Sequence, residues 1–311
     1  MSQTWFGESE RIITTMLLSA TPTLGVLFSS LLSPLLVGDD VGMVKYLNLF
    51  YGVPSVVAMC LCLIFFRHSR PPSPPSRSEE AFSKKVAYNI KTYLTSLKDL
   101  LRSKTVLGFV LFVGTNLAML DSMIAQLAQI MCSTGYSANQ VGVLTGSIMV
   151  AALTGSIMIS LLARRLNAHV GILKITYAMS SISLISFLLL LRESDLYYPT
   201  LCATVLYGAS TIGCLPLALE LSVEDSFPLD PVYSETVIHF PAHAYAFILI
   251  LICNNLTREP SDVTGNTCGE GIRPWDYTLY FYFLMAEATI STILLLFIVN
   301  PVLRRKQYDE E

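Results

Sequence analysis

The chain has 311 residues, 53% of them hydrophobic and 14% charged, with a mean hydropathy of +0.56 and a formal net charge of −3. A soluble domain carries about 25% charged residues, so this balance excludes that class and points to a polytopic membrane protein. No nucleic-acid partner is expected.

The first eleven residues, MSQTWFGESER, are polar and acidic, with no basic n-region. No secretory signal peptide is therefore expected; either the first span acts as its own insertion signal or the true start lies upstream. Crossing the hydrocarbon takes about 20 mostly apolar residues. Eight stretches qualify: 12–37, 43–66, 105–131, 140–163, 168–191, 197–222, 237–256 and 277–300. Their continuous apolar runs lack the alternation of a membrane barrel, which leaves helices as the spanning structure. The expected fold is an all-α membrane bundle.

One long hydrophilic segment, 67–104, separates two spans from six. It opens with the Pro/Ser-rich RHSRPPSPPSRSEE, which is too polar to pack a core. It continues as KKVAYNIKTYLTSLKDLLRSK, with Val86, Ile90, Tyr93, Leu94, Leu97 and Leu101 near helical spacing. That pattern predicts an amphipathic helix, either bound to membrane lipid or serving as a solvated linker. The organisation read from this is a partial N-terminal bundle (1–66), a linker (67–104), a six-helix bundle (105–303) and a tail (304–311). A 2 + 6 division around a basic loop is the outline of the major facilitator superfamily with four spans missing.

The span at 140–163 contains LTGSIM twice, at 144–149 and 153–158. A nine-residue offset turns a helix by about 180°, so small residues fall on opposite faces, with Gly142-x-x-x-Gly146 adding to one. Close packing between two neighbours is predicted.

With the N-terminus in the cytoplasm, the cytoplasmic segments hold fifteen Lys and Arg residues and the opposite side four, Lys174 lying within a span. The positive-inside rule then places both termini in the cytoplasm. The seven cysteines show no metal-site spacing, and Cys60-x-Cys62 reads as packing within a span.

Ionisable residues inside spans are costly and tend to face a cavity or a partner. Three stand out: Asp121, His243 and Glu287. On the 105–131 helix, Thr115, Ser122, Gln126 and Gln129 fall within an arc of about 60°, flanked by Asp121, and this stripe is expected to line the bundle interior. Asp121 is suited to neutralising an organic cation or carrying a proton; the alternative is a carboxylate bonded to a neighbouring helix. His239 and His243, four apart, share a face and could meet a ligand, heme iron included, or make structural hydrogen bonds. No further ligands adjoin them, so no metal site is expected. The chain carries no Gly-x-Ser-x-Gly, His-Glu-x-x-His or Walker motif, so no enzyme is expected. No cofactor is implied. Asn255-Leu256-Thr257 is a glycosylation sequon abutting the membrane.

The stretch GCLPLALELSVEDSFP (213–228) ends a span in carboxylates. Glu220 and Glu224 lie one turn apart, at the helix end where an exposed acid opposes the macrodipole by about 0.3–1 kcal/mol. The adjoining 223–236 segment has no Lys or Arg. Arg164 and Arg165, at the cytoplasmic end of the 140–163 helix, are the nearest cations by topology, so a cytoplasmic gate of these four residues is expected.

WFGESER (5–11), TPTLGVLFSSLLSPLLV (21–37), YGVPSVVAMCLC, RPPSPPS, LAQIMCSTGYS (127–137), LALELSVEDSFP (217–228), CGEGIRPWDYT (268–278) and PVLRRKQ (301–307) occur in order along the chain. Together they resemble solute carrier family 49, the heme and choline transporters of the major facilitator superfamily. The resemblance implies that the eight spans are helices five to twelve of twelve. It also implies movement of choline or a related organic cation, or of heme, with the cation held in an aromatic cage. Thr23, Asp121 and His243 stand where the family has Gln, Tyr and Gln. The expected function is a secondary-active or facilitative transporter of a small organic cation or amphiphile, its site lined by Thr23, Asp121, Gln126, Gln129 and His243. The alternative is a truncated, non-transporting membrane protein acting through protein interaction, with a homodimer to complete a cavity.

Overall fold

The structure is a computed structural model that describes residues 5–37, 41–65, 95, 97–98, 100–193, 195–227, 229, 231–259, 274–298 and 301. Calls on the Pro/Ser-rich part of the linker, on Cys268 and on the 304–311 tail lie outside these residues.

The helices, in chain order, are α1 (Glu8–Val37), α2 (Val44–Phe65), α3 (Lys104–Ser133), α4 (Ala138–Leu166), α5 (His169–Leu190), α6 (Tyr197–Thr211), α7 (Leu215–Ser226), α8 (Pro231–Leu256) and α9 (Thr278–Ile298). Among the described residues, seven helical segments are long and apolar enough to cross a membrane, α6 and α7 counting as one. The first expected span, 12–37, lies within the 30-residue α1, which is a helix but not one of the seven. The only β feature among the described residues is an isolated antiparallel bridge, Arg258 with Asp276, between α8 and α9.

Local chemistry sets the helix ends. Ser103 caps α3 by accepting from the Val106 N–H. Gly135, at φ 90°, turns the chain after α3. Ser137 and Gln140 form a reciprocal capping box that starts α4, and Asn167 ends it in the left-handed conformation at φ 49°. Pro54 and Pro241 sit inside continuous helices.

Two departures from the expected spans matter. Phe109–Val113, inside α3, is a π-helical turn. The expected 197–222 span is broken at Ile212–Cys214, with Gly213 in the break and Pro216 in the first turn of α7. α7 then runs on to Ser226, so Glu220, Glu224 and Asp225 lie within it, and all three are buried rather than exposed.

Lipid is as apolar as leucine, so packing and interhelical hydrogen bonds hold a membrane bundle. α6 lies along α4 and α5, α8 along α3, and α4 sits between α6 and α1, as the two faces of small residues predicted. The close approach is made by Gly155 and Gly208: a Cβ at either would run into the backbone of Ala209 or Ile148. Gly142 makes no such approach, since its Cβ would meet nothing within 4 Å.

Two apolar clusters fill the bundle. One, on the Ser133 side, includes a Phe187–Tyr207 stack at 6.5 Å between centroids. The other, on the Lys104 side, gathers Phe109, Phe112, Tyr177, Leu217 and Leu295. Polar bonds stitch the layers between them. Ser180 donates to Asn116 at 3.0 Å and shares a 2.6 Å bond with Thr211, and Tyr280 donates to Ser122 at 3.3 Å.

The expected linker helix is described only at its end, where Leu97 and Leu100 pack against Val106 and Val237. Leu100 is the buried residue there, and Leu101 is exposed. No described residue of α2 is buried. Cys132, at the Ser133 end of α3, is disulfide-bonded, whereas Cys60, Cys62, Cys202, Cys214 and Cys253 are free thiols.

Candidate functional site

Where α1, α3, α4 and α8 meet the break between α6 and α7, they enclose a cavity of about 370 Å³. Its walls are Pro22, Thr23 and Val26 from α1, Leu117, Leu120, Ile124 and Ala125 from α3, Met149 from α4, Ile212 from the break and Leu215 from the start of α7. Its polar groups are Asp121, His239, His243 and Thr23. An apolar chamber with a few convergent polar groups is the usual form of a small-molecule site.

The ionisable residues meet directly. His243 Nδ1 lies 2.9 Å from Asp121 Oδ2, with the His side chain 62% exposed and the Asp 35%. His239, one turn earlier on α8, has its ring centroid 6.2 Å from that of His243. Its Nδ1 lies 3.1 Å from the Glu235 carbonyl, which fixes the ring by a bond within its own helix. Pro241 lies between the two histidines without interrupting α8. Thr23 is buried against the cavity.

Thr23, Asp121 and His243 are thus brought together, but Gln126 and Gln129 do not line this cavity. Asp121 stands about 80–140° around α3 from the polar arc, at about 100° per residue, so the two face different surroundings. Ser122 and Gln126 turn into the bundle and are buried; Gln129 is exposed near the Ser133 end. Thr115 and Glu287 line a separate crevice. The apolar wall at Ile212 and Leu215 went unanticipated, although Gly213 and Pro216 signalled the break that puts them there.

The four residues expected to form a gate divide by burial. Glu220 and Glu224 are buried in α7, while Arg164 and Arg165 are exposed in the last turn of α4. Ser103 donates to Asp225 Oδ2 at 3.4 Å, tying the start of α3 to the same end of the molecule.

An all-helical bundle with several membrane-crossing helices, a broken helix and a polar pair inside a chamber defines an integral, multi-pass membrane protein. A family profile described as Major Facilitator Superfamily matches residues 1–249, and the chain belongs to that superfamily. Its relatives include members of solute carrier family 49, the family its motifs resemble. It is 28% identical over 265 residues to "Solute carrier family 49 member A3" of Danio rerio, covering 83% of this chain and 54% of that protein. It is 24% identical over 271 residues to the Xenopus tropicalis protein of that name, covering 86% and 54%. To "Choline/ethanolamine transporter FLVCR2" of Rattus norvegicus it is 21% identical over 275 residues, covering 86% and 50%. The chain spans about half the length of these curated relatives.

Proposed function

We propose that the chain is the helix-five-to-twelve portion of a secondary-active or facilitative transporter for a small organic cation or amphiphile, choline-like or heme, working by alternating access. The single observation that carries this reading is the Asp121–His243 pair at 2.9 Å inside a chamber walled by α1 and the six-helix bundle. A carboxylate is the natural counter-ion for an organic cation, and His243 is the group that such a cation would replace beside it. The relatives named as choline/ethanolamine transporters support the substrate class. Gln126 and Gln129 belong to this reading as residues reached in another conformation, and Glu220, Glu224, Arg164 and Arg165 as its cytoplasmic gate.

In this reading residues 1–66 belong to the first bundle, 67–104 form a cytoplasmic linker and 105–303 form the second bundle. Both termini are cytoplasmic. The excess of Lys and Arg supports that orientation, as does the disulfide at Cys132 on the side it makes external, because disulfides persist in oxidising compartments. Uptake of labelled choline by cells expressing the chain tests the function: uptake above the untransfected level that falls in Asp121→Asn is the expected result. No uptake of choline, ethanolamine or heme, by the chain alone or joined to the first four helices of a relative, would remove the proposal.

A second reading, a membrane protein that acts through protein interaction, is favoured by α2, an apolar helix with no buried described residue. Cross-linking in membranes separates the two: a specific homodimer without uptake supports the second.

A further inference from the structure

α3, α8 and α9 enclose a second crevice, of about 450 Å³, that shares no lining residue with the Asp121–His243 cavity. Its walls are apolar, with Leu111 and Phe112 contributed by the π-turn of α3 and Phe283, Ile290 and Leu294 by α9. Its polar end is Glu287, near the middle of α9. Tyr245 donates to Glu287 Oε1 at 2.5 Å. Oε2 is buried and has no hydrogen-bond partner. Leu111, Ile290 and Leu294 are 52%, 59% and 42% exposed, and all lie within membrane-crossing segments. The mouth of the crevice therefore opens on the apolar outside of the described helices.

A buried carboxylate oxygen without a donor is expensive to maintain, and intramembrane acids of this kind mark functional sites. Here the missing donor is what a ligand would bring. The π-turn adds a second indication, because such turns concentrate at functional sites. Its backbone is bonded by Tyr177, which donates to the Phe112 carbonyl at 2.7 Å and pairs with Ser291 Oγ at 3.2 Å.

We propose that this crevice is a lateral binding site, entered from the bilayer, for an amphiphilic amine: a long apolar chain ending in an ammonium whose N–H donates to Glu287 Oε2. The chain lies along Leu111, Phe283, Ile290 and Leu294, and the ammonium balances the carboxylate in place of water. Tyr245 holds the other oxygen and so fixes the rotamer of the acid. The site is independent of the transport reading, since it needs neither Asp121 nor His243.

The test uses the full chain in lipid nanodiscs and a long-chain primary amine carrying a diazirine. After photolysis, mass spectrometry should place cross-links on peptides covering 109–115 and 283–294. Dodecylammonium should compete and dodecanol, with the same chain and no charge, should not. Glu287→Gln keeps the volume and an acceptor for Tyr245, and should lower labelling by at least about tenfold, the expected scale for losing a buried charge partner. Ile290→Trp, which fills the mouth, should lower it as well while leaving the α9 acid in place. Labelling unchanged in Glu287→Gln, or equal competition by dodecanol, would overturn the proposal. Failure of choline uptake would leave it standing.

Discussion

Tyr177 and Phe112 lie 65 residues apart in sequence, yet the Tyr177 hydroxyl donates a 2.7 Å hydrogen bond to the Phe112 carbonyl inside the π-turn of α3. A π-turn displaces the regular i→i−4 ladder and leaves carbonyls in need of other donors. The tyrosine meets that need from α5, and Ser291 joins from α9. Tyr177→Phe should therefore destabilise the bundle by about 0.6–1.7 kcal/mol, the range for interhelical bonds in membranes. Thermal unfolding of purified protein in one detergent, compared with wild type, measures it.

The Asp121–His243 contact predicts a functional loss rather than a structural one. Asp121→Asn keeps the volume and a hydrogen bond to His243, so the protein should unfold at nearly the wild-type temperature. Choline uptake should fall by about tenfold or more, since losing a charge partner at a binding site costs roughly 2–5 kcal/mol. Initial rates across choline concentrations check it. Uptake equal to wild type would remove Asp121 from the mechanism.

Gly208→Ala should be the more damaging of two small changes. The added methyl meets the Ile148 backbone, so α4 and α6 must part, at about 1–3 kcal/mol for overpacking. Gly142→Ala, with open space at its Cβ, should be neutral or slightly stabilising, because alanine favours helix over glycine by about 1 kcal/mol. Parallel melting curves distinguish the pair.

The spans were legible because lipid permits so few structures: a long apolar run can only be a helix. What escaped was their interruption. Pro241 lies within an unbroken helix, whereas Gly213 followed by Pro216 marks a break inside a run that reads as continuous. Proline disrupts a helix only when no neighbour re-satisfies the freed carbonyl, and a single strand of sequence does not show the neighbours. The site was half legible for the same reason. Asp121 and His243 each stood out as an ionisable group in an apolar helix, but Gln126 looked equivalent until Ser122, one turn earlier, proved to be covered by Tyr280 of α9.

Burial of Glu220 and Glu224 sharpens the gate prediction. Glu220→Arg should abolish uptake, and Arg164→Glu or Arg165→Glu introduced with it should restore part of the loss. Surface expression, measured alongside, keeps a folding defect apart from a transport defect. If neither second change restores uptake, the four residues do not form a gate.

The disulfide gives a test of orientation. On intact cells, a membrane-impermeant maleimide should label Cys132 only after a mild reductant. In a variant with Cys60, Cys62, Cys202, Cys214 and Cys253 replaced by serine or alanine, mass spectrometry can read this directly. Labelling that requires permeabilised cells would invert the proposed topology.

The interruption at Ile212–Cys214 does more than shape a wall. Above it, α6 rides with α4 and α5; below it, α7 lies chiefly against α8 and α1. Ile212, where the joint begins, and Leu215, the first residue after it, both touch the chamber. A guest wedged between them would bear on both arms of a jointed lever, and its girth would be converted into an angle. The far arm carries Glu220, Glu224 and Asp225, so in the proposed transporter the width of what enters the chamber would set the position of these three acids, some two helical turns away.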